Sequence, residues 1–146
     1  MAFILCIDDS QDVLKSLTEV LWTSGYVTIT ASSGNEGLRL LIQHSVDLVV
    51  LDYEMPGMNG DLVAQAIRRS RPELPIILFT GMPDNVPDTV RRNVNRVVYK
   101  ANLSGLLAVV RELIKNLRGS EKRHEPVFTE FQVHISALKY IGSRSI

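Results

Sequence analysis

Apolar positions fall along this chain in two rhythms. Four short runs are almost wholly apolar: Phe3-Ile4-Leu5-Cys6-Ile7, Val46-Asp47-Leu48-Val49-Val50-Leu51, Ile76-Ile77-Leu78-Phe79 and Val97-Val98-Tyr99. Hydrophobicity this continuous, and this rich in β-branched residues, marks strands buried on both faces of a parallel sheet. Between the runs the spacing turns helical. Leu14, Leu17 and Leu21, flanked by Val13 and Val20, predict a helix over residues 10–23 that stops at Gly25. Residues 26–31 read as a further, more polar strand, and Ser33-Gly34-Asn35-Glu36 is a capping-box pattern opening a helix that reaches about His44. Leu62, Ala66 and Ile67 repeat the helical pattern over 61–69, entered through the turn-prone Pro56-Gly57-Met58-Asn59-Gly60 and closed by Pro72 and Pro75. The fourth crossover is the weakest, because Pro83 and Pro87 interrupt it and only 87–92 can be regular, with Pro87 in the first turn. Leu106, Val110, Leu113 and Leu117, widened by Leu107 and Ile114, form the stripe of a final helix over 103–118.

Strand and helix thus alternate five times. That is the signature of an α/β domain, a doubly wound, five-stranded parallel sheet with flanking helices and right-handed crossovers. In such a sheet, ligands bind just beyond the carboxyl ends of the strands. Asp8, Asp9, Asp52, Thr80 and Lys100 each stand where an apolar run stops, so three carboxylates, a hydroxyl and an ammonium are expected to share one crevice. A lone aspartate at a strand end is an ordinary turn or cap residue; the set together points to chemistry. Carboxylates ~4 Å apart repel by roughly 4 kcal/mol per pair at an effective dielectric of 20, so the cluster demands a cation. Hard oxygen donors with few protein groups suit Mg2+, which keeps several waters. Beside that charge one Asp52 oxygen can attack a phosphoryl group in line, Lys100 can hold the phosphoryl oxygens, and Thr80 can bond one of them, giving two distinguishable states.

Composition narrows the remainder. At 146 residues the chain suits one domain with one core. Lys plus Arg balances Asp plus Glu at 16 each, so no global field favours nucleic acid or an anionic membrane. No apolar run reaches the roughly 18–20 residues of a membrane span, and the N-terminus lacks the basic segment and cleavage site of a signal peptide, so a cytoplasmic location is expected. Cys6, the single cysteine, reads as a small buried hydrophobe of the first strand. Trp22 reads as packing, and His44, His124 and His134 lack metal-ligand spacing. Arg91, Arg92, Arg96, Arg111, Lys115 and Arg118 read as a solvated basic face.

Taken together, Ile4-Leu5-Cys6-Ile7-Asp8-Asp9-Ser10, Leu51-Asp52-Tyr53-Glu54-Met55-Pro56-Gly57-Met58-Asn59-Gly60, Phe79-Thr80-Gly81 and Val98-Tyr99-Lys100 resemble the receiver domain of bacterial two-component response regulators, over residues 3–118. The resemblance implies a flavodoxin-like strand order 2-1-3-4-5, with Asp52 accepting a phosphoryl group from a sensor histidine kinase or phosphotransfer protein. It implies Mg2+ held by Asp9, Asp52 and the main-chain carbonyl of Glu54, with Asp8 acting partly through water. It further implies Lys100 as phosphoryl clamp, Thr80 as switch hydroxyl, a downstream protein partner, and dimerisation or docking on the basic face. Such a domain is a signalling module that catalyses only its own phosphotransfer and dephosphorylation.

Three positions depart from the family pattern. Val97 replaces the usual aromatic switch residue, and Tyr99, on the same strand face by alternation, could stand in for it, although a buried packing role is the first reading. Ala101 replaces the usual cis proline; a cis bond before a non-proline residue costs ~3–4 kcal/mol, so a trans Lys100–Ala101 peptide is predicted. Glu54, two residues after Asp52, lies near any attacking water, and its charge is expected to alter the lifetime of the phosphorylated state unless it is simply a solvated loop acid. Two other functions compete: a receiver-like scaffold that signals without phosphate, and a Mg2+ phosphohydrolase resembling haloacid dehalogenases, with Glu54 where those enzymes carry a second aspartate. Residues 119–146 read as a polar hinge followed by a tail too short for an output domain. Phe128, Phe131, Ile135 and Leu138 fit a helical stripe and Phe131, Val133 and Ile135 a strand; a docking segment and a disordered end stay open.

Overall fold

A computed structural model of the protein describes residues 1–123. In chain order it comprises β1 (Phe3–Ile7), α1 (Gln11–Thr23), β2 (Val27–Ala31), α2 (Gly34–Gln43), β3 (Leu48–Leu51), α3 (Gly60–Ser70), β4 (Ile76–Thr80), a 3-10 turn (Pro83–Asn85), α4 (Asp88–Arg91), β5 (Arg96–Tyr99) and α5 (Leu103–Arg123). The strands make one parallel sheet in the order β2-β1-β3-β4-β5, as the resemblance implied. Burial follows the hydrophobic rhythm. β3 and β4 are buried at every position, whereas the more polar β2 and β5 form the edges.

Alternation assigns the two faces of the sheet. Leu5, Ile7, Val49, Leu51, Ile76 and Leu78 join one core cluster with Leu41 of α2, Val63, Ala64 and Ile67 of α3, and Val90 of α4. The intervening Ile4, Cys6, Leu48, Val50, Ile77 and Phe79 are buried on the opposite face. There Phe79 shares a cleft with Val13 and Leu17 of α1 and Leu103 of α5. Burial pushes the Cys6 thiol up to about 12, reinforced by the charge of Asp8, so it behaves as the inert hydrophobe expected.

Local chemistry sets the helix boundaries. Ser10, Ser33 and Asn59 cap α1, α2 and α3, each side chain accepting a backbone N–H from the first turn. The Glu36 carboxylate accepts from Ser32 N–H at 2.9 Å, so the box closes one residue before the cap. Gly25 follows α1 with φ of +91°, a conformation that favours glycine. α4 is as short as its prolines predicted, although Pro87 stands at the cap in extended geometry rather than in the first turn.

The first residues of the expected hinge are helical. α5 continues through Gly119 and Ser120 to Arg123, because one helical glycine costs only about 1 kcal/mol and an established helix propagates cooperatively. Met1–Lys115 form one compact unit and Asn116–Ile146 a second, of which only the continuation of α5 is described. The tail residues Phe128, Phe131, Val133, Ile135 and Leu138, with His124 and His134, lie outside the described residues. None of the described helices is long and apolar enough to cross a membrane.

Candidate functional site

Ile7 and Leu51 are register partners at the ends of β1 and β3, so the next residues, Asp8 and Asp52, leave adjacent strands side by side. Ladder bonds continue past the strand ends and fix both main chains: Asp8 N–H donates to Ala31 O at 3.1 Å, and Asp52 N–H to Ile7 O at 2.8 Å. Thr80 ends β4 opposite Tyr99, which brings Lys100 one step beyond the sheet, its own N–H donating to Thr80 O at 2.8 Å. Four of the five expected residues, Asp8, Asp9, Asp52 and Lys100, are brought within a few ångströms of one another, and Thr80 ends the neighbouring strand. Oxygens of Asp8, Asp9 and Asp52 lie within 4.8 Å of one another. Lys100 Nζ stands 2.8 Å from Asp8 Oδ2 and 3.1 Å from Asp52 Oδ1.

Burial makes this cluster electrostatically tense. Asp8 and Asp52 are only 1% and 4% exposed, while Asp9 is exposed. Burial, then the charge of Asp8, pushes the Asp52 carboxyl up to about 6; Lys100 opposes this, and Asp9 adds to it. For Lys100 burial pulls downward, yet the hydrogen bond to Asp8 and the charges of Asp52 and Asp8 outweigh it and hold the ammonium above its ordinary range. Three carboxylates against one ammonium leave an excess of negative charge suited to a divalent ion. Oxygen-only donors, with one exposed carboxylate opening to water, match a small hard cation that keeps part of its hydration shell. The donor set fits Mg2+.

The other expected residues are placed more variously. Thr80 is buried, and its Oγ1 accepts from Met82 N–H at 3.2 Å. Glu54 is an exposed acid in the loop after β3. Lys100–Ala101 is trans, since no cis peptide occurs among the described residues. Val97 packs half-buried against the core cluster. Tyr99 corrects the packing reading: it is 50% exposed, at the end of β5, an edge strand. Trp22 is corrected likewise, at 64% exposed, since the buried stripe of α1 runs through Leu14, Leu17 and Leu21. Within the basic face, Arg96 pairs with Glu112 at 2.8 Å and Arg91 donates to the carbonyls of Pro83 and Val86, so these two serve local structure.

Three groups were not singled out from the chain. Ser10 N–H donates to Asp8 Oδ1 at 2.9 Å and steadies that carboxylate, a turn bond for which Asp-x-Ser was the available signal. Arg68 donates to the carbonyls of Pro72, Leu74 and Asn93 and to Asn95 Oδ1, knotting the amino ends of β4 and β5. Gly60 lies against the main chain of Asp52, where the sequence offered only a turn-prone glycine.

A doubly wound sheet of this order, with an acidic pocket and a lysine at its carboxyl edge, defines a class of signalling domain rather than an enzyme acting on an outside substrate. The chain belongs to the response regulator receiver domain family, whose profile matches residues 4–111, well over half of its length. It is 39% identical over 89 residues to the transcriptional regulatory protein GlrR of Escherichia coli K12, covering 61% of this chain and 20% of GlrR. It is 34% identical over 116 residues to HprR of the same organism, covering 77% of this chain and 51% of HprR. The chain thus spans only a fifth to a half of these relatives. Among solved structures, the response regulator TrrA of Thermotoga maritima, crystallised in complex with Mg2+-BeF, superposes with a TM-score of 0.74 at 35% identity, covering 77% of this chain and 99% of TrrA. TrrA has also been crystallised in complex with the histidine kinase ThkA.

Proposed function

We propose that the protein is a phosphorylation-switched module in which Asp52 accepts a phosphoryl group from the phosphohistidine of a sensor histidine kinase or phosphotransfer protein. An Asp52 oxygen forms the new O–P bond as the donor N–P bond breaks, and the electron pair leaves with the imidazole nitrogen. The observation that carries this reading is Lys100 Nζ lying between Asp8 and Asp52, where it can follow the incoming phosphoryl oxygens. Asp8, Asp9 and Asp52, with the main-chain carbonyl of Glu54, would hold Mg2+. When bound, that ion supplies positive charge against the phosphoryl oxygens. The buried Thr80 hydroxyl, whose oxygen accepts from Met82 N–H, donates its own proton to a phosphoryl oxygen, and the shift this draws through the 81–85 loop alters the surface offered to a downstream protein. The Mg2+-BeF complex of TrrA and its complex with ThkA support the same assignment.

Intact mass after incubation with Mg2+ and acetyl phosphate tests this. One added phosphoryl group on the wild type, absent from Asp52→Asn, is the expected result; an unmodified wild type overturns it. Val97 and the trans Lys100–Ala101 peptide favour the phosphate-independent scaffold as second reading, and that unmodified mass is its expected outcome. Thr80→Ala separates acceptance from readout. Phosphoryl uptake should stay within a few-fold of wild type, while beryllofluoride-induced NMR shifts in residues 81–99 should shrink. Leaving Met82 N–H without its partner should also cost about 1 kcal/mol in thermal unfolding.

A further inference from the structure

Gly60 opens α3, and it lies flat against the main chain that carries Asp52. A β-carbon built on Gly60 would stand 2.3 Å from the Asp52 carbonyl oxygen, 2.8 Å from Tyr53 Cα and 3.1 Å from the Asp52 carbonyl carbon. The obstructing atoms are all backbone, so no rotamer change relieves the clash. Among the described residues only Gly25 and Gly57 have positive φ, so Gly60 is needed for space and not for its conformational range. The contact is braced from both sides. Gly60 N–H donates to Tyr53 O at 2.9 Å, and Asn59 Oδ1 accepts from Leu62 N–H at 3.2 Å, which anchors the helix start. Behind it, a β-carbon on Gly34 of α2 would meet Val63 Cγ2 at 2.7 Å and Met58 Sδ at 3.1 Å, so α2 leaves this loop little room to retreat.

We infer that Gly60 is a positioning residue for Asp52: its missing side chain lets α3 seat directly on the Asp52–Tyr53 peptide and thereby sets how far the Asp52 carboxylate reaches into the acidic pocket. The inference rests on Asp52 being the phosphoacceptor. Because Asp52 N–H is tied to Ile7 O at 2.8 Å, the amino side of the residue is fixed. A side chain at position 60 must therefore displace the Asp52 carbonyl and the 53–59 loop, which includes the Glu54 carbonyl. In-line transfer tolerates such displacement poorly, and an error of about 1 Å costs up to roughly 100-fold in rate.

The test compares the full-length wild type with Gly60→Ala and Gly25→Ala. Gly25 has φ of +91° with no atom within 4 Å of an added β-carbon, so its substitution strains the chain away from the pocket and serves as the destabilised control. At a temperature where circular dichroism shows all three folded, Gly60→Ala should lower the maximal rate of phosphoryl uptake from acetyl phosphate, and the affinity for beryllofluoride, by roughly 10- to 100-fold. The half-saturating acetyl phosphate concentration should change little. Gly25→Ala should keep the wild-type rate despite a lower Tm. A folded Gly60→Ala protein with wild-type kinetics overturns the inference, as does a loss that Gly25→Ala shares. Should Gly60→Ala not fold, Asn59→Ala should slow uptake in the same direction, with Asn59→Asp restoring both the cap and the rate; no slowing in Asn59→Ala is equally fatal. A wild type that takes up no phosphoryl group removes the phosphoacceptor reading and this one with it, whereas normal wild-type uptake with normal Gly60→Ala uptake removes only this one.

Discussion

Asp52→Asn will abolish phosphoryl uptake and, in the same protein, stabilise the metal-free fold. The first effect follows from losing the attacking oxygen; removal of a nucleophile lowers such rates by more than about 1,000-fold. The second follows from the electrostatics of the empty-handed carboxylate. Its pKa stands at about 6 against an ordinary 3.8, through burial first and the charge of Asp8 second, so at neutral pH an ion occupies a place that prefers a neutral group. A displacement of that size corresponds to about 1–3 kcal/mol, and an isosteric amide recovers it. The sign with pH is fixed by linkage. The native state binds the Asp52 proton more tightly than the unfolded chain, so stability falls as pH rises from 3.8 to about 6 and then levels off. The gain from Asp52→Asn should therefore be near zero at about pH 4 and complete above about pH 6. Thermal unfolding in a chelator across that range measures it. A gain as large in acid as at neutrality would refute the electrostatic account.

Lys100→Met should have the opposite effect on stability. Lys100 Nζ bonds Asp8 Oδ2 and Asp52 Oδ1 at 2.8 and 3.1 Å, and its side chain is 25% exposed. Breaking a fully buried pair costs 3–5 kcal/mol, so this partly solvated one should cost about 2–3 kcal/mol. Since the Lys100 pKa is held above its ordinary range, its contribution is present in full at neutral pH and fades only as pH rises through that elevated value. Uptake from acetyl phosphate should fall by roughly 100- to 1,000-fold, as when one preorganised charge is removed from a developing oxyanion. Combining Lys100→Met with Asp52→Asn should cost less stability than the two changes summed, because the amide no longer needs the ammonium. Strict additivity in unfolding free energy would show that Lys100 acts through packing instead.

Legibility along the chain depended on how local each cause was. The strand runs were readable because a segment buried on both faces must be apolar throughout, and β3 and β4 are buried at every residue. Asp8, Asp52, Thr80 and Lys100 were readable because parallel strands deliver their carboxyl ends to one edge. Tyr99 and Trp22 were misread because an apolar residue type says nothing about which side its neighbours cover. At Gly119 and Ser120 the final helix runs on because a local helix breaker is weak against an already propagating helix.

The chain alone determined the alternation of strands and helices, the polar set at the strand ends and its demand for a cation, since each follows from periodicity and charge within short segments. Tertiary structure decided that Lys100 lies between Asp8 and Asp52, that burial, and after it the charge of Asp8, pushes the Asp52 carboxyl up to about 6, and that Gly60 bears directly on the Asp52 carbonyl. Those facts join residues far apart in sequence, and distances of a few ångströms between them are set by how sheet and helices pack, which no local pattern encodes.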